Sequence, residues 1–220
     1  MRSSVLLLLA ALSPSALHAQ AAASPHEMHQ RHGDPAAYIA SLDDPARDAY
    51  QKPDEVLKAL DLRPGEVVAD IGSGSGYFSL RFARAVGETG RVYAVDVSPD
   101  MIRHLNRRIR DAGIRNVVPV LSDPDNPLLP DAAVDRFVIV DTWHHIQDQP
   151  RYLLLLKRML KPGGRVIHID FKKQDLPVGP PPGMKIARED LVKQMEAAGF
   201  RLAAEHVFLP YQYFLVFTVR

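Results

Sequence analysis

The chain has 220 residues, 46% hydrophobic and 24% charged, enough to bury one sizeable core and without a compositional break that asks for a second domain. Its 27 Lys and Arg against 26 Asp and Glu leave a formal charge of +1, which excludes a global attraction to nucleic acid or to an anionic membrane. With no cysteine, disulfides, thiolate nucleophiles and sulfur-ligated metals are excluded as well.

At the N-terminus, Arg2 precedes a short apolar run from Val5 to Leu12, then small residues with Ala19 and Ala21 at a spacing suited to a signal peptidase. Residues 1–21 are therefore expected to be a cleaved secretory signal and the product to be exported to the periplasm; a start at Met28 would leave it cytoplasmic. The run is too short to persist as a spanning helix, so no permanent membrane anchor is expected. Residues 22–40 read as a flexible linker. His26, His29 and His32 stand three apart in that polar, Pro-flanked tail, a spacing that does not pre-organise a metal site.

The domain proper, 41–220, opens with a helical cap. Pro53 suits a first helical turn, Asp54 and Glu55 favour its N-terminal dipole, and Val56, Leu57 and Leu60 give it an apolar side. From Val67 onward strands and helices alternate: VVADI, a helix from about Tyr77 to Val86, RVYAVD, a helix opened by Ser98 and Pro99 and closed by Gly113, NVVPVL, DRFVIVD, a helix through RYLLLLKRML, and GRVIHIDF. Lys161 to Gly164, KPGG, reads as a helix exit and turn before the fifth strand. This alternation predicts an α/β, doubly wound, Rossmann-like sheet that binds ligands beyond the carboxyl ends of its strands. A last helix, REDLVKQMEAAG, precedes two apolar runs spaced for an antiparallel hairpin. Asp175 to Met184, DLPVGPPPGM, is a long irregular loop after a strand, where a substrate lid could be built.

The glycine turn DIGSGSGY narrows the ligand. A dinucleotide fingerprint wants G-x-G-x-x-G, yet Tyr77 stands where the third glycine is expected and Gly76 makes the pattern G-x-G-x-G. Asp70, two residues before Gly72, would repel a pyrophosphate but suit an ammonium or sulfonium, which favours a cationic ligand such as S-adenosylmethionine over a nicotinamide. Asp96 ends the second strand, where a carboxylate accepts both hydroxyl protons of a ribose. Asp123 follows the third strand, where an acid can accept from an adenine amino group; taken alone it also reads as a turn residue.

Together DIGSGSGYFS, VYAVDVSPDMI, LSDPDNPLLPDAAVDRFVIVDTWHHI, LKPGGRVIHIDF and REDLVKQMEAAGF resemble the class I S-adenosylmethionine-dependent methyltransferases of small-molecule type, over about Pro53 to Arg220. The resemblance implies a seven-stranded sheet with the last strand antiparallel. It also implies that Asp70, Gly72, Ser73, Gly74 and Gly76 hold the methionine end of S-adenosylmethionine, Asp96 the ribose and Asp123 the adenine edge. Val97 and Met101 would lie beside the adenine ring, and Asp141 would contact the amino acid part.

His144 and His145, in DTWHHI after the fourth strand, are the candidates for a general base, since imidazole titrates near neutral pH. The structural alternative has one histidine capping a turn and the other packing on the sheet, with Trp143 filling core. A base is optional, because an activated sulfonium can be attacked by a nucleophile merely held in line. The expected partner is a small-molecule methyl acceptor. Nucleic acid is disfavoured by the lack of a basic stripe with interleaved aromatics. Missing cysteines argue against an arsenite substrate, and the alternative reading is a non-catalytic envelope nucleoside-binding protein with the same fold.

Overall fold

A computed structural model describes residues 34–220; the expected signal segment and His26, His29 and His32 lie outside the described residues. Four short helical pieces come first: α1 (Pro35–Leu42), a 3-10 turn (Pro45–Arg47), α2 (Asp48–Gln51) and α3 (Pro53–Leu60). Helix α1 thus begins inside the stretch read as linker. Its N-cap is Asp34, whose carboxylate accepts from the Ala36 N–H at 2.8 Å. Pro53 opens α3 as expected, and Val56 and Leu60 bury its apolar side.

Beyond these lie β1 (Val67–Ile71), α4 (Ser79–Val86), β2 (Arg91–Asp96), α5 (Pro99–Asp111), β3 (Val117–Leu121) and β4 (Val134–Val140). They are followed by a 3-10 turn (Trp143–His145), α6 (Gln149–Met159), β5 (Leu160–Phe171), a 3-10 turn (Pro182–Met184), α7 (Arg188–Ala197), β6 (Phe200–His206) and β7 (Gln212–Val219). The sheet has seven strands in the order β3-β2-β1-β4-β5-β7-β6. β1 to β5 pair in parallel, and β7 runs antiparallel to both β5 and β6, so the predicted terminal hairpin forms and closes the sheet.

The sheet is covered on both faces. Val56 and Leu60 of α3, Leu80, Phe82, Ala83 and Val86 of α4, and Leu105 of α5 pack on one side. Tyr152, Leu153, Leu156 and Met159 of α6, with Leu191 and Met195 of α7, pack on the other. Burial on both faces explains why the central strands read as near-continuous apolar runs. Two local expectations shift. The helix after the glycine turn starts at Ser79 rather than Tyr77. The KPGG segment is counted within β5, but pairing jumps from Val134↔Leu160 to Arg136↔Arg165, so residues 161–164 bulge out of the ladder.

β1 lies between β2 and β4, and the chain winds outward from it in both directions. That reversal opens a crevice above the carboxyl ends of β1 and β4. The glycine turn leaves β1 there, and Asp141 to Ile146 leaves β4 beside it.

Candidate functional site

Over this crevice lies a cavity of about 660 Å³, within the range of small-molecule and cofactor sites. Its wall includes Asp70, Gly72, Ser73, Gly74, Asp96, Val97, Met101, Asp123, Asp141, His144 and His145, so eleven of the twelve residues expected from the sequence meet in one place. Gly76 is not among the lining residues. A Cβ there would come within 2.4 Å of the Leu105 side chain, and its φ of +85° is a glycine conformation, so its place is in packing the turn onto α5.

The turn is pinned by β2: the N–H groups of Gly72 and Ser73 both donate to the Val95 carbonyl, at 2.8 and 2.9 Å. Gly72 has φ +71°, and a Cβ on it would lie 2.3 Å from Thr142, so β1 can leave the sheet against the β4 exit only without a side chain there. Asp96 then ties the loop together. One of its oxygens accepts from Gly74 N–H and the other from Ser98 N–H, each at 2.8 Å. Asp123 sits at the exposed rim, bridged to Asn126 through paired backbone hydrogen bonds of 3.1 and 3.2 Å.

Asp70 is 3% exposed, and the Ser79 hydroxyl donates to it at 2.5 Å. Burial raises its pKa to about 7; the Ser79 hydrogen bond opposes the rise and the negative charge of Asp96 adds to it. Asp141, with φ +51°, accepts from Gln51 Nε2 at 2.8 Å and from Gln212 Nε2 at 2.9 and 3.0 Å. Burial pushes its carboxyl up as well, helped by the charge of Asp170, with Gln212, Gln51 and Arg47 pulling the other way. Two carboxyls that ionise reluctantly thus border one cavity, and a cation in it would stabilise their charged forms.

Ser73 and Ser75 also border the cavity, and both hydroxyls are buried without a hydrogen-bond partner among the described residues. Buried hydroxyls in this state await a polar ligand or ordered water. These groups fit the methionine end of S-adenosylmethionine: hydroxyls and carboxylates for its ammonium and sulfonium, and Arg47, the single Lys or Arg among the described lining residues, on the N-terminal side.

Several lining residues were not foreseen: Tyr38, Arg47 and Tyr50 from the N-terminal pieces, and Phe171 at the end of β5. That segment is docked by Asp43, which meets Arg108 at 2.6 Å and His104 at 2.8 Å, and by Arg47 over the Tyr77 ring at 4.5 Å. Across the cavity, His144 Nδ1 stands 3.2 Å from Asp170 Oδ2, and the His145 ring packs at 4.1 Å on that of His144. Burial lowers the basicity of His144, but the hydrogen bond and charge of Asp170 and the charge of Asp141 outweigh it, so its pKa is raised. Trp143 is fully buried, as expected, and donates to Gln194 at 3.2 Å. Asp170 went unseen although it ends a parallel strand just as Asp70 and Asp96 do. Gly179, Pro180, Pro181 and Met184 of the long loop also line the cavity.

Comparison with known proteins follows this geometry. A family profile described as a methyltransferase domain matches residues 68–164, from β1 to the start of β5. The crystal structure of a SAM dependent methyltransferase from Aquifex aeolicus is 32% identical, with a TM-score of 0.80 over 85% of this chain and 99% of that one. The structure of a DhpI-SAH complex, 21% identical with a TM-score of 0.67 over 89% of this chain and 95% of that one, shares the fold. The ubiquinone/menaquinone biosynthesis C-methyltransferase UbiE of Vibrio vulnificus is 35% identical over 112 residues, 50% of this chain and 43% of its own length. The chain therefore spans under half the length of such curated relatives.

Proposed function

Because the chain belongs to the S-adenosylmethionine-dependent methyltransferases, we propose that it moves the methyl group of that cofactor to a small molecule bound in the same 660 Å³ cavity. Membership decides for an enzyme over the binding-protein alternative. In this reading Asp70, Ser73, Gly74 and Asp141 hold the methionine end, Gly72 lets the chain pass close to it, Asp96 takes the ribose hydroxyls, and Val97, Met101 and Asp123 receive the adenine.

The observation that carries the assignment is the pairing of unpartnered Ser73 and Ser75 hydroxyls with the reluctantly ionised Asp70 beside one glycine turn. A cationic ligand with hydrogen-bonding groups satisfies all three. When bound, the cofactor supplies an activated methyl group. The protein's own share is to hold the acceptor in line and to exclude water. The loop around Gly179 and the docked N-terminal helices stand over the cavity and serve the second task.

The names of the curated relatives point to methylation at carbon on quinone precursors, and an aromatic acceptor is compatible with Tyr50 and Phe171 in the wall. Thermal unfolding with added ligand tests the cofactor assignment. S-adenosylmethionine at a hundred times its dissociation constant should stabilise by about 2.7 kcal/mol, whereas NAD should do nothing. Stabilisation by NAD and not by S-adenosylmethionine would overturn the reading.

A further inference from the structure

We propose that His144, oriented by Asp170, takes a proton from the acceptor, and that the acceptor is a small aromatic hydroxyl compound seated against the wall made by Tyr50, Phe171 and Pro180. This rests on the methyltransferase reading above.

His144 comes from the 3-10 turn after β4 and Asp170 from the end of β5, neighbouring strands. Their side chains are 4% and 2% exposed and meet at 3.2 Å. The carboxylate is itself fixed, since its other oxygen accepts from Phe171 N–H at 2.8 Å. Asp170 accepts the Nδ1 proton of the neutral ring, which leaves the Nε2 lone pair as the acceptor of any further proton. This is the orienting carboxylate of a nucleophile–base–acid triad, with the substrate in the place of the nucleophile. Around the imidazole stand Asp170 on β5, Asp141 beyond β4, Lys185 beyond the loop and the His145 ring, tilted 44° against it.

The strength of such a base selects the acceptor. An imidazole near neutrality is matched to a phenol, whose pKa is about 10. An aliphatic hydroxyl, nearer the value of about 16 for bulk water, is too weak an acid for it. An aryl amine has a free lone pair and gains nothing from the dyad. Shape agrees: the Tyr50 ring packs on those of Phe171 and Tyr211, each at 6.2 Å between centroids, so that Tyr50 and Phe171 form one continuous aromatic wall of the cavity. A Cβ at Gly179 would approach the Phe171 ring to 2.8 Å, so the loop rests directly on it. The base of that loop is closed by Lys185 Nζ donating to the Gln174 carbonyl at 2.8 Å.

In the step itself the hydroxyl proton passes to His144 Nε2 as the acceptor oxygen, or the ring carbon its electrons reach, bonds to the methyl carbon; on the carbon route that carbon then loses its ring proton to water and the oxygen regains one from water. The carbon–sulfur bond breaks with its pair going to sulfur, and the imidazolium later releases the proton to water.

The test uses the full chain, methyl-tritiated S-adenosylmethionine and two sets of probes: catechol, hydroquinone and 2-naphthol against aniline and 2-naphthylamine. Label should pass to at least one hydroxyl probe in a way that depends on His144, whereas any label that reaches an amine should not depend on it. His144→Gln should lower kcat at least 100-fold with acceptor KM changed less than threefold. Asp170→Asn should also move the acidic limb of the kcat profile to lower pH, which a merely structural role would not do. In protein labelled with 15N-histidine, neutral His144 should be the Nδ1–H tautomer. Labelling of the hydroxyl probes that His144→Gln leaves unchanged, an unmoved limb, an Nε2–H tautomer, or S-adenosylmethionine binding without label in any hydroxyl probe would each overturn the proposal. Failure of S-adenosylmethionine to bind would instead overturn the cofactor reading beneath it.

Discussion

Asp70→Asn isolates what the buried carboxylate contributes to stability. The substitution keeps the shape and leaves an oxygen for the Ser79 hydroxyl, while removing the group whose pKa rises from 3.8 to about 7 on folding. A carboxyl with a raised folded pKa stabilises most below its unfolded value and loses that contribution as pH climbs through the folded one. The rise of about three units corresponds to about 4 kcal/mol in all, of which about 2.5 kcal/mol is lost between pH 5 and pH 8. Urea unfolding of both proteins at half-unit pH steps, without cofactor, gives the difference in stability directly, and other titrating groups cancel. The variant should gain on the wild type steadily from pH 5 to pH 7 and level off by pH 8. A difference that stays constant across that range would refute the claim that burial raises the pKa of Asp70.

His168 supplies the opposite slope. It packs against Trp143 at 4.9 Å with neither ring nitrogen paired among the described residues, and burial lowers its pKa to about 3. Wild-type stability should therefore fall by up to about 1.4 kcal/mol per unit as pH drops below 6.5, and His168→Phe should lessen that fall in acid unfolding curves. Gly72→Ala meets Thr142 at 2.3 Å and should cost well over 2 kcal/mol in urea, whereas Gly113→Ala, with φ +66° and nothing within 4 Å, should cost about 1 kcal/mol. Affinity for S-adenosylmethionine should rise at least tenfold from pH 6 to pH 8 as Asp70 and Asp141 ionise, with proton release that calorimetry in two buffers detects. A flat affinity without proton release would separate Asp70 from the cofactor.

What was legible in the sequence was local. The strand ends Asp70 and Asp96, the glycine turn between them and the Asp141 to Ile146 segment are short patterns, and the sheet order only has to bring them to one edge. Pairings across strands were not legible. His144 and Asp170 are 26 residues apart and meet because β4 and β5 are neighbours. Gln51 and Gln212 reach Asp141 from 90 and 71 residues away, one from a cap helix and one from the antiparallel strand. Gly76 has the right spacing for a ligand loop, yet its use is decided by Leu105, a contact between helix and turn that no motif records.

The most direct measurement is a calorimetric titration of the chain with S-adenosylmethionine, beside Asp96→Ala. Asp96 joins the Gly74 loop to the start of α5 at the cavity wall, where the ribose would lie. Micromolar binding by the wild type, lost in a variant that still unfolds cooperatively, is the predicted result. Binding that ignores the substitution would contradict the site described here, and no binding at all would contradict the use of this cavity for the cofactor.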